Sequence, residues 1–264
     1  MTEFLSDFEN KVTNDYIEDG YVIIKVNDLE SLKWINNFFI KKTTKIIGKN
    51  ISGDVLNKFH KYIKRGNLNK FRLDIINEIN KSKLFKKHYY NVASQYLNIL
   101  VGNELVMQKS INLSIQMPDD DSSLLEIHAD TWSGDSPYEI VVWLPMVDCY
   151  KTKSMYILPA SKYGSFRKKF EKSYKKKGYD LFQSIKKDLI WLNIKYGEVL
   201  LFNQCLPHGN IVNIEDETRW SMNCRFKSVF TPYGDKKIGE FFHPITLRAC
   251  SRIGMKYQLP GSKS

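Results

Sequence analysis

Ile127-His128-Ala129-Asp130 is the stretch whose reading decides the fold. Read as a strand, it sends His128 and Asp130 to one face while Ala129 turns away, because successive strand residues alternate. Two metal ligands then come from three residues. A third stands far downstream in Leu206-Pro207-His208, where a buried-strand pattern from Val199 onward ends in a bend punctuated by Pro207 and Gly209. Two imidazoles and one carboxylate on one face of an ion leave its other face open, as in mononuclear non-haem Fe(II) sites. A strand that ends in such a bend suits a ligand held at a barrel rim.

Beyond His208 the chain runs through Ile211 to Ile214, turns at Glu215-Asp216-Glu217 and returns as Trp220 to Phe226. A hairpin turning on two residues near Glu215-Asp216 would pair His208 with Asn223 and Val212 with Arg219. Cross-strand partners share a face, so Arg219, Ser221, Asn223 and Arg225 are expected to look into the His208 cavity; a slip of one residue would turn them all away.

Other strands follow from period-two patterning. Between Leu105 and Met117, Leu105, Met107, Ile111, Leu113, Ile115 and Met117 share a face, with Lys109 the exception, while Gln108, Ser110, Asn112, Ser114 and Gln116 share the other. A polar face normally meets water; in a barrel plated outside by helices it lines the cavity instead, and the pattern alone leaves both open. Glu139 to Asp148 reads as a buried strand carrying Trp143, Tyr156 to Leu158 as another, and Trp191 to Tyr196 with Glu198 to Asn203 as a hairpin about Gly197. The first hundred residues read as helices around one strand, Tyr21 to Val26. Asp28 is placed to cap a helix that Gly48 stops, and further helical segments run through Val55 to Tyr62, Leu73 to Ile79, and Tyr89 to Leu100. Their histidines, His60 and His88, are read as packing or surface residues.

At 264 residues and 42% hydrophobic composition the chain can bury one large core or two small ones. No run of about 18 apolar residues occurs, and Met1 to Lys11 is neither basic nor followed by an apolar stretch, so no membrane span and no secretory signal are expected, and a cytoplasmic location is. Cys149, Cys205, Cys224 and Cys250 stand far apart without a Cys-x-x-Cys pair, which argues for reduced thiols over a zinc knuckle or disulfide framework. The net charge of +11 raises the question of nucleic acid, yet all but seven of the 40 basic residues are lysines. Phosphate and base readers favour the planar fork of arginine. A lysine-rich solvated surface is the reading, with a positive field that draws in anionic small molecules. Three aspartates in the loop Pro118 to Ser123 lack the spacing of a calcium loop.

His128-x-Asp130, the distal His208 and the following Arg219-x-Ser221 resemble the Fe(II)/2-oxoglutarate-dependent oxygenases, and more narrowly their phytanoyl-CoA dioxygenase-like branch. Asp15 to Ile24 is similar to that branch's opening segment. Trp143-Leu144-Pro145-Met146-Val147-Asp148 and then Tyr156 to Lys162 are similar to its tryptophan strand and the proline-containing stretch after it. The chain departs from the branch at Lys153-Ser154, where Asn-Gly is usual, and at Pro159-Ala160-Ser161-Lys162, where Pro-Gly-Ser-His is usual; these architectural positions bear on subfamily and substrate. His128 to Trp132 with Gly134-Asp135-Ser136-Pro137 is similar to the 2-oxoglutarate oxygenases of bacterial surface-carbohydrate biosynthesis clusters. The resemblance spans residues 14 to 245.

The resemblance implies a mainly β fold with α, a double-stranded β-helix (jelly-roll, cupin-like) barrel flanked by N-terminal helices. As one oxygenase domain over 1–264, the chain would divide into a mainly helical part (1–103), a jelly-roll core (104–230) with a basic insert (165–189) broken at Gly178, and a tail (231–264) packing on the barrel. It implies that His128, Asp130 and His208 hold Fe(II), that Arg219 pairs bidentately with the 5-carboxylate of 2-oxoglutarate with Ser221 beside it, and that Trp143 packs against this co-substrate. Asn112 is the candidate for the 1-carboxylate, with Gln108 or Ser114 as rivals. The implied reaction, with dioxygen, hydroxylates an unactivated C–H bond and releases succinate and CO2. Halogenating relatives carry a small residue in place of Asp130, so hydroxylation is favoured over halogenation; desaturation, ring formation and epimerisation stay open. The expected partner is a small molecule, a sugar or nucleotide sugar of surface-polysaccharide biosynthesis, and neither nucleic acid nor membrane. Trp132 either stacks on its ring or packs at the rim, and Arg225 either meets an anionic part of it or forms a structural ion pair. A zinc hydrolase or cupin-type sugar isomerase would use the same three ligands without needing Arg219-x-Ser221. A metal-free carbohydrate-binding jelly roll would need no convergence of ligands. His243 is not expected to ligate.

Overall fold

The computed structural model describes residues 4–48, 54–172 and 178–261. Helix α1 (Asp7–Asp19) starts at a capping box in which Ser6 Oγ accepts from the Glu9 N–H and the Glu9 carboxylate accepts from the Ser6 N–H. The motif Ser6-x-x-Glu9 was the signal for this helix, which the reading above did not place. Gly20 ends α1 at φ 77°, a left-handed conformation suited to glycine, and a Cβ there would also run into Leu206. Strand β1 (Tyr21–Lys25) follows at once. Asp28 caps α2 (Leu29–Ile47) through the Ser31 N–H and Gly48 stops it, as the spacing implies.

Val55 to Tyr62 is not a helix: it makes turns and a short 3-10 segment, Phe59–Lys61. Its carbonyls are claimed from elsewhere, Leu56 O by the Trp220 indole N–H at 3.0 Å and Asn57 O by the Thr218 N–H at 2.7 Å. Phe59 then packs against Phe71 and Trp220. Helices α3 (Arg65–Lys81), α4 (Lys83–Asn91) and α5 (Ser94–Leu100) complete the N-terminal scaffold.

The remaining chain supplies β2 (Leu105–Gln108), β3 (Asn112–Gln116), β4 (Ile140–Pro145), β5 (Tyr156–Ile157), α6 (Ala160–Lys172), α7 (Gly178–Ile185), β6 (Ile190–Trp191), β7 (Glu198–Asn203), β8 (His208–Gly209), β9 (Arg219–Ser228), β10 (Phe242–Pro244) and α8 (Ala249–Gly254). The larger antiparallel sheet has the order β1-β7-β4-β9-β2-β10, with β3 also on β9, and the smaller has the order β6-β5-β8. Together they form the expected double-stranded β-helix. Its main apolar cluster joins Leu32, Ile35 and Phe39 of α2 and Phe85 and Tyr89 of α4 to Leu105, Ile115, Leu144 and Trp220 of the larger sheet. The helices therefore plate one face of that sheet, and the other is left for the cavity.

Three sequence expectations are corrected. The Leu105 to Met117 run breaks into β2 and β3 because Asn80 grips Ile111, its Oδ1 accepting from the Ile111 N–H and its Nδ2 donating to the Ile111 carbonyl; the two faces nonetheless hold. His208 pairs with Ile157 of β5 and not with Asn223, which lies opposite Asn112 and Trp143. The segment between is drawn away by side chains: Asn213 donates to the Gln116 and Glu217 carbonyls, and Glu217 pairs with the buried Lys153 ammonium at 2.6 Å. β6 and β7 are no hairpin, since they belong to different sheets and Gly197 (φ 99°) turns the chain between them. In the basic insert α7 begins at Gly178, and Lys175-Lys176-Lys177 lies outside the described residues. The tail packs back by adding β10 to β2. Among the described residues no helix is long and apolar enough to cross a membrane.

Candidate metal centre

His128 and His208 meet across a single antiparallel bridge, each backbone N–H donating to the other's carbonyl at 3.0 and 2.8 Å. The strand expected at Ile127 to Asp130 is thus reduced to one bridging residue, and Asp130 opens a 3-10 turn, Asp130–Ser133. The side chains still converge. Ligand atoms of His128, Asp130 and His208 lie within 4.8 Å of one another, and His128 Nε2 stands 3.5 Å from Asp130 Oδ1. Both imidazoles are oriented by their own backbone: His128 Nδ1 donates to Glu126 O at 2.7 Å and His208 Nδ1 to Leu206 O at 2.8 Å. That fixes the tautomer and turns both Nε2 lone pairs toward the same point, as metal-ligating histidines require.

The electrostatics suit a cation. Burial, with His128 nearby, pushes the His208 pKa down to about 4, so this imidazole is neutral at physiological pH. For Asp130 burial works upward, but the His128 hydrogen bond and the charges of His208 and Arg225 outweigh it and hold the carboxyl down at about 2. For His128 burial works downward and is outweighed by the Asp130 and Glu126 hydrogen bonds, which raise it. A neutral imidazole, a carboxylate and a second imidazole compose the two-histidine, one-carboxylate set that can hold a cation.

Arg225 holds the carboxylate. Its Nη2 lies 2.9 Å from Asp130 Oδ2, its Nε donates to Gln204 Oε1 at 2.9 Å, its Nη1 donates to Gln108 Oε1 at 3.2 Å, and Asp135 stands 3.5 Å away. Gln204 is itself tied to Glu139 and to the Ser136 carbonyl. Of the two sequence readings of Arg225, the structure places it in the ion pair. The roles of Gln204, Glu139 and Asp135 carried no sequence signal, because the stretch Asp135 to Glu139 and the turn at Gln204 meet only in the fold.

A cavity of about 410 Å³ opens beside the three ligands, lined among others by Asn112, Ser114, Trp143, Arg219, Ser221, Asn223 and Arg225. The inward face expected for β9 is present, although its partner strands are β3 and β4. Arg219 is 3% exposed; its Nη1 donates to the Ser154 carbonyl and its Nη2 to Ser114 Oγ, both at 3.0 Å. Its Nε is buried without a partner, as is the Ser154 hydroxyl, and no carboxylate among the described residues lies within ion-pair distance. Burial lowers the guanidinium pKa only to about 10, so the charge persists. Ser221 is buried two residues on, and Asn112 donates to Asn223 Oδ1 at 2.8 Å. Trp132 is not brought to the cavity lining: it stacks at 5.1 Å on Phe170 of α6 and at 6.4 Å on Phe166. His60 bonds Thr218, His88 stacks on Trp34, and His243 lies on β10, away from the ligand cluster.

No family model matches the chain, and no curated protein matches it in sequence. Solved structures resemble it in fold. The non-haem alpha-ketoglutarate-dependent carbocyclase SnoK from nogalamycin biosynthesis superposes with a TM-score of 0.51 at 15% identity over 92% of this chain and 98% of that one. HygX from Streptomyces hygroscopicus with iron bound gives 0.51 at 12% identity over 87% and 89%. EctD from S. alaskensis with 2-oxoglutarate and 5-hydroxyectoine gives 0.53 at 14% identity over 88% and 80%.

Proposed function

We propose that the protein is an Fe(II)- and 2-oxoglutarate-dependent dioxygenase that hydroxylates an unactivated C–H bond of a small molecule, releasing succinate and CO2. The observation that carries this reading is the buried Arg219 guanidinium, without a carboxylate partner and with an orphaned Nε, on the wall of the cavity that the His128, Asp130 and His208 ligands enter. A buried unpaired charge is costly, and a dicarboxylic co-substrate would relieve it. A zinc hydrolase or sugar isomerase would leave that guanidinium without a purpose.

In this reading His128 Nε2, a carboxylate oxygen of Asp130 and His208 Nε2 hold iron, which when bound supplies dioxygen activation coupled to decarboxylation of the keto-acid. The chain's own residues bind and orient. Arg219 receives the 5-carboxylate with the planar fork that lysine cannot copy, and Ser221 adds a hydrogen bond. Asn112, whose amide already faces Asn223, is placed for the 1-carboxylate, with Ser114 engaged by Arg219 and Gln108 by Arg225. Leu113, Val141, Trp143, Met155 and Phe202 form the apolar part of the lining and keep water from the reacting atoms. A sugar or nucleotide sugar is supported by the amides and hydroxyls of Asn112, Asn210, Asn223, Ser122 and Ser123 on the same wall, together with the resemblance at His128 to Pro137.

The test is succinate formation from 2-oxoglutarate with Fe(II) under air. His128→Ala should abolish it, and Arg219→Gln should raise the KM for 2-oxoglutarate by about tenfold or more, the worth of a charge-assisted pair. Absence of succinate with iron, alongside hydrolysis restored by zinc, would hand the site to the hydrolase reading.

A further inference from the structure

Three guanidiniums, those of Arg72, Arg219 and Arg225, line the cavity against a single carboxylate, Asp130. Their charges pair off unevenly. Arg225 is spent on Asp130, and Asp135 behind it also faces Lys236. On the function proposed above, on which this step rests, Arg219 takes the 5-carboxylate of the co-substrate. Arg72 is left over.

Arg72 is built into the wall. It projects from α3, half-buried, and its Nη1 donates to Ser123 Oγ at 2.9 Å and its Nη2 to Asn69 Oδ1 at 2.8 Å, both neutral acceptors. The Ser123 hydroxyl in turn donates to the Ile115 carbonyl at 2.8 Å, so the guanidinium is linked through Ser123 to β3, one residue from the Ser114 hydroxyl that Arg219 holds. Two guanidiniums on the wall of one cavity repel unless anions come between them. Among the described residues the remaining N–H donors of the Arg72 fork have no acceptor, and Arg72 lines the cavity.

We propose that Arg72 anchors an oxyanion, a phosphate or a carboxylate, carried by the prime substrate. The substrate class narrows accordingly from sugars in general to those that carry an anion: sugar phosphates, nucleotide sugars and sugar acids. Arg225, which the sequence offered for this task, is already engaged.

Calorimetric titration of the protein loaded with Mn(II) and N-oxalylglycine, an unreactive analogue of 2-oxoglutarate, tests this. The probes are inorganic phosphate, glucose 6-phosphate and glucuronate, with glucose as the uncharged control. Wild type should bind at least one anion more tightly than glucose, the arm that responds identifying phosphate or carboxylate. Arg72→Gln should weaken that anion by about tenfold or more, with Arg72→Lys in between, while affinity for N-oxalylglycine changes less than about twofold. The proposal is overturned if no anion outdoes glucose, if a correctly folded Arg72→Gln keeps the preference, or if it loses N-oxalylglycine to the same extent, which would assign Arg72 to the co-substrate. Failure of wild type to bind N-oxalylglycine in a metal-dependent way is a separate result that overturns the oxygenase reading, and the anion preference remains readable in metal-free protein.

Discussion

Asp130 uses its two oxygens differently, Oδ1 toward His128 and Oδ2 against Arg225. A carboxylate tied at one oxygen is presented to a metal through the other, so in the proposed reading Arg225 would act on the ion through Asp130. Replacing Arg225 with glutamine should weaken divalent-metal binding by roughly 10- to 100-fold, the usual effect of removing a group that orients a ligand, and lysine should recover part of the charge without the fork. Titration of metal-free protein with Mn(II) measures this; equal affinity in all three would show that Asp130 orients itself. The convergence of His128, Asp130 and His208 was legible in the sequence because a one-residue gap and a distal histidine before glycine are local signals, although Asp130 lies in a 3-10 turn and not on the expected strand. The clamp on Arg225 was not, since Gln108, Gln204 and Asp135 converge only when β2, the turn after β7 and the loop after Asp130 are in place. Trp132 shows the converse: its aromatic surface was visible in sequence, but the Phe170 ring that covers it comes from the insert.

At the scale of elements, the site depends on β8, a strand of two residues. Gly209 lets it lie against β5: a Cβ there would stand 2.6 Å from the Tyr156 hydroxyl oxygen and 2.7 Å from the Leu125 carbonyl, and the second of these is backbone. Gly209→Ala is therefore expected to push β8 off β5 and displace His208, lowering metal affinity by about tenfold or more and Tm by a few degrees. Unchanged affinity in the same titration would mean that the bridge to His128 alone positions His208. The facing of β9 was legible while its partners were not. Alternation is a property of one strand, so Arg219, Ser221, Asn223 and Arg225 share a face whichever strand lies beside them. Pairing instead depends on Asn213, Lys153 and Glu217, whose contacts pull the expected hairpin turn away.

Across the whole molecule, three histidines on separate elements have their pKa lowered, each mainly by burial: His60 beside Thr218, His208 in the site, and His243 on β10, where Lys86 and Lys109 add to the effect. Each pKa is lowered below the ordinary 6.5, so between the folded value and 6.5 the unfolded chain binds more protons than the folded one. Their contribution to stability is complete above 6.5 and declines as pH falls through it. His128, whose pKa is raised, works in the opposite direction, one group against three. Metal-free protein should accordingly show a Tm that falls between about pH 7.5 and 5.5. The net charge of +11 also grows on acidification and adds self-repulsion, so the scan is repeated at high salt, which screens the second effect and leaves the first. His60→Gln and His243→Gln should flatten the slope without touching the ligands. Saturating Mn(II) with 2-oxoglutarate should raise Tm more at pH 7.5 than at 5.5, because protons compete with the ion for His128 and His208. A metal-free Tm that rises on acidification, with both glutamine variants indistinguishable from wild type, would mean that these imidazoles are solvated rather than buried, and the packing of β10 on β2 would have to be redrawn.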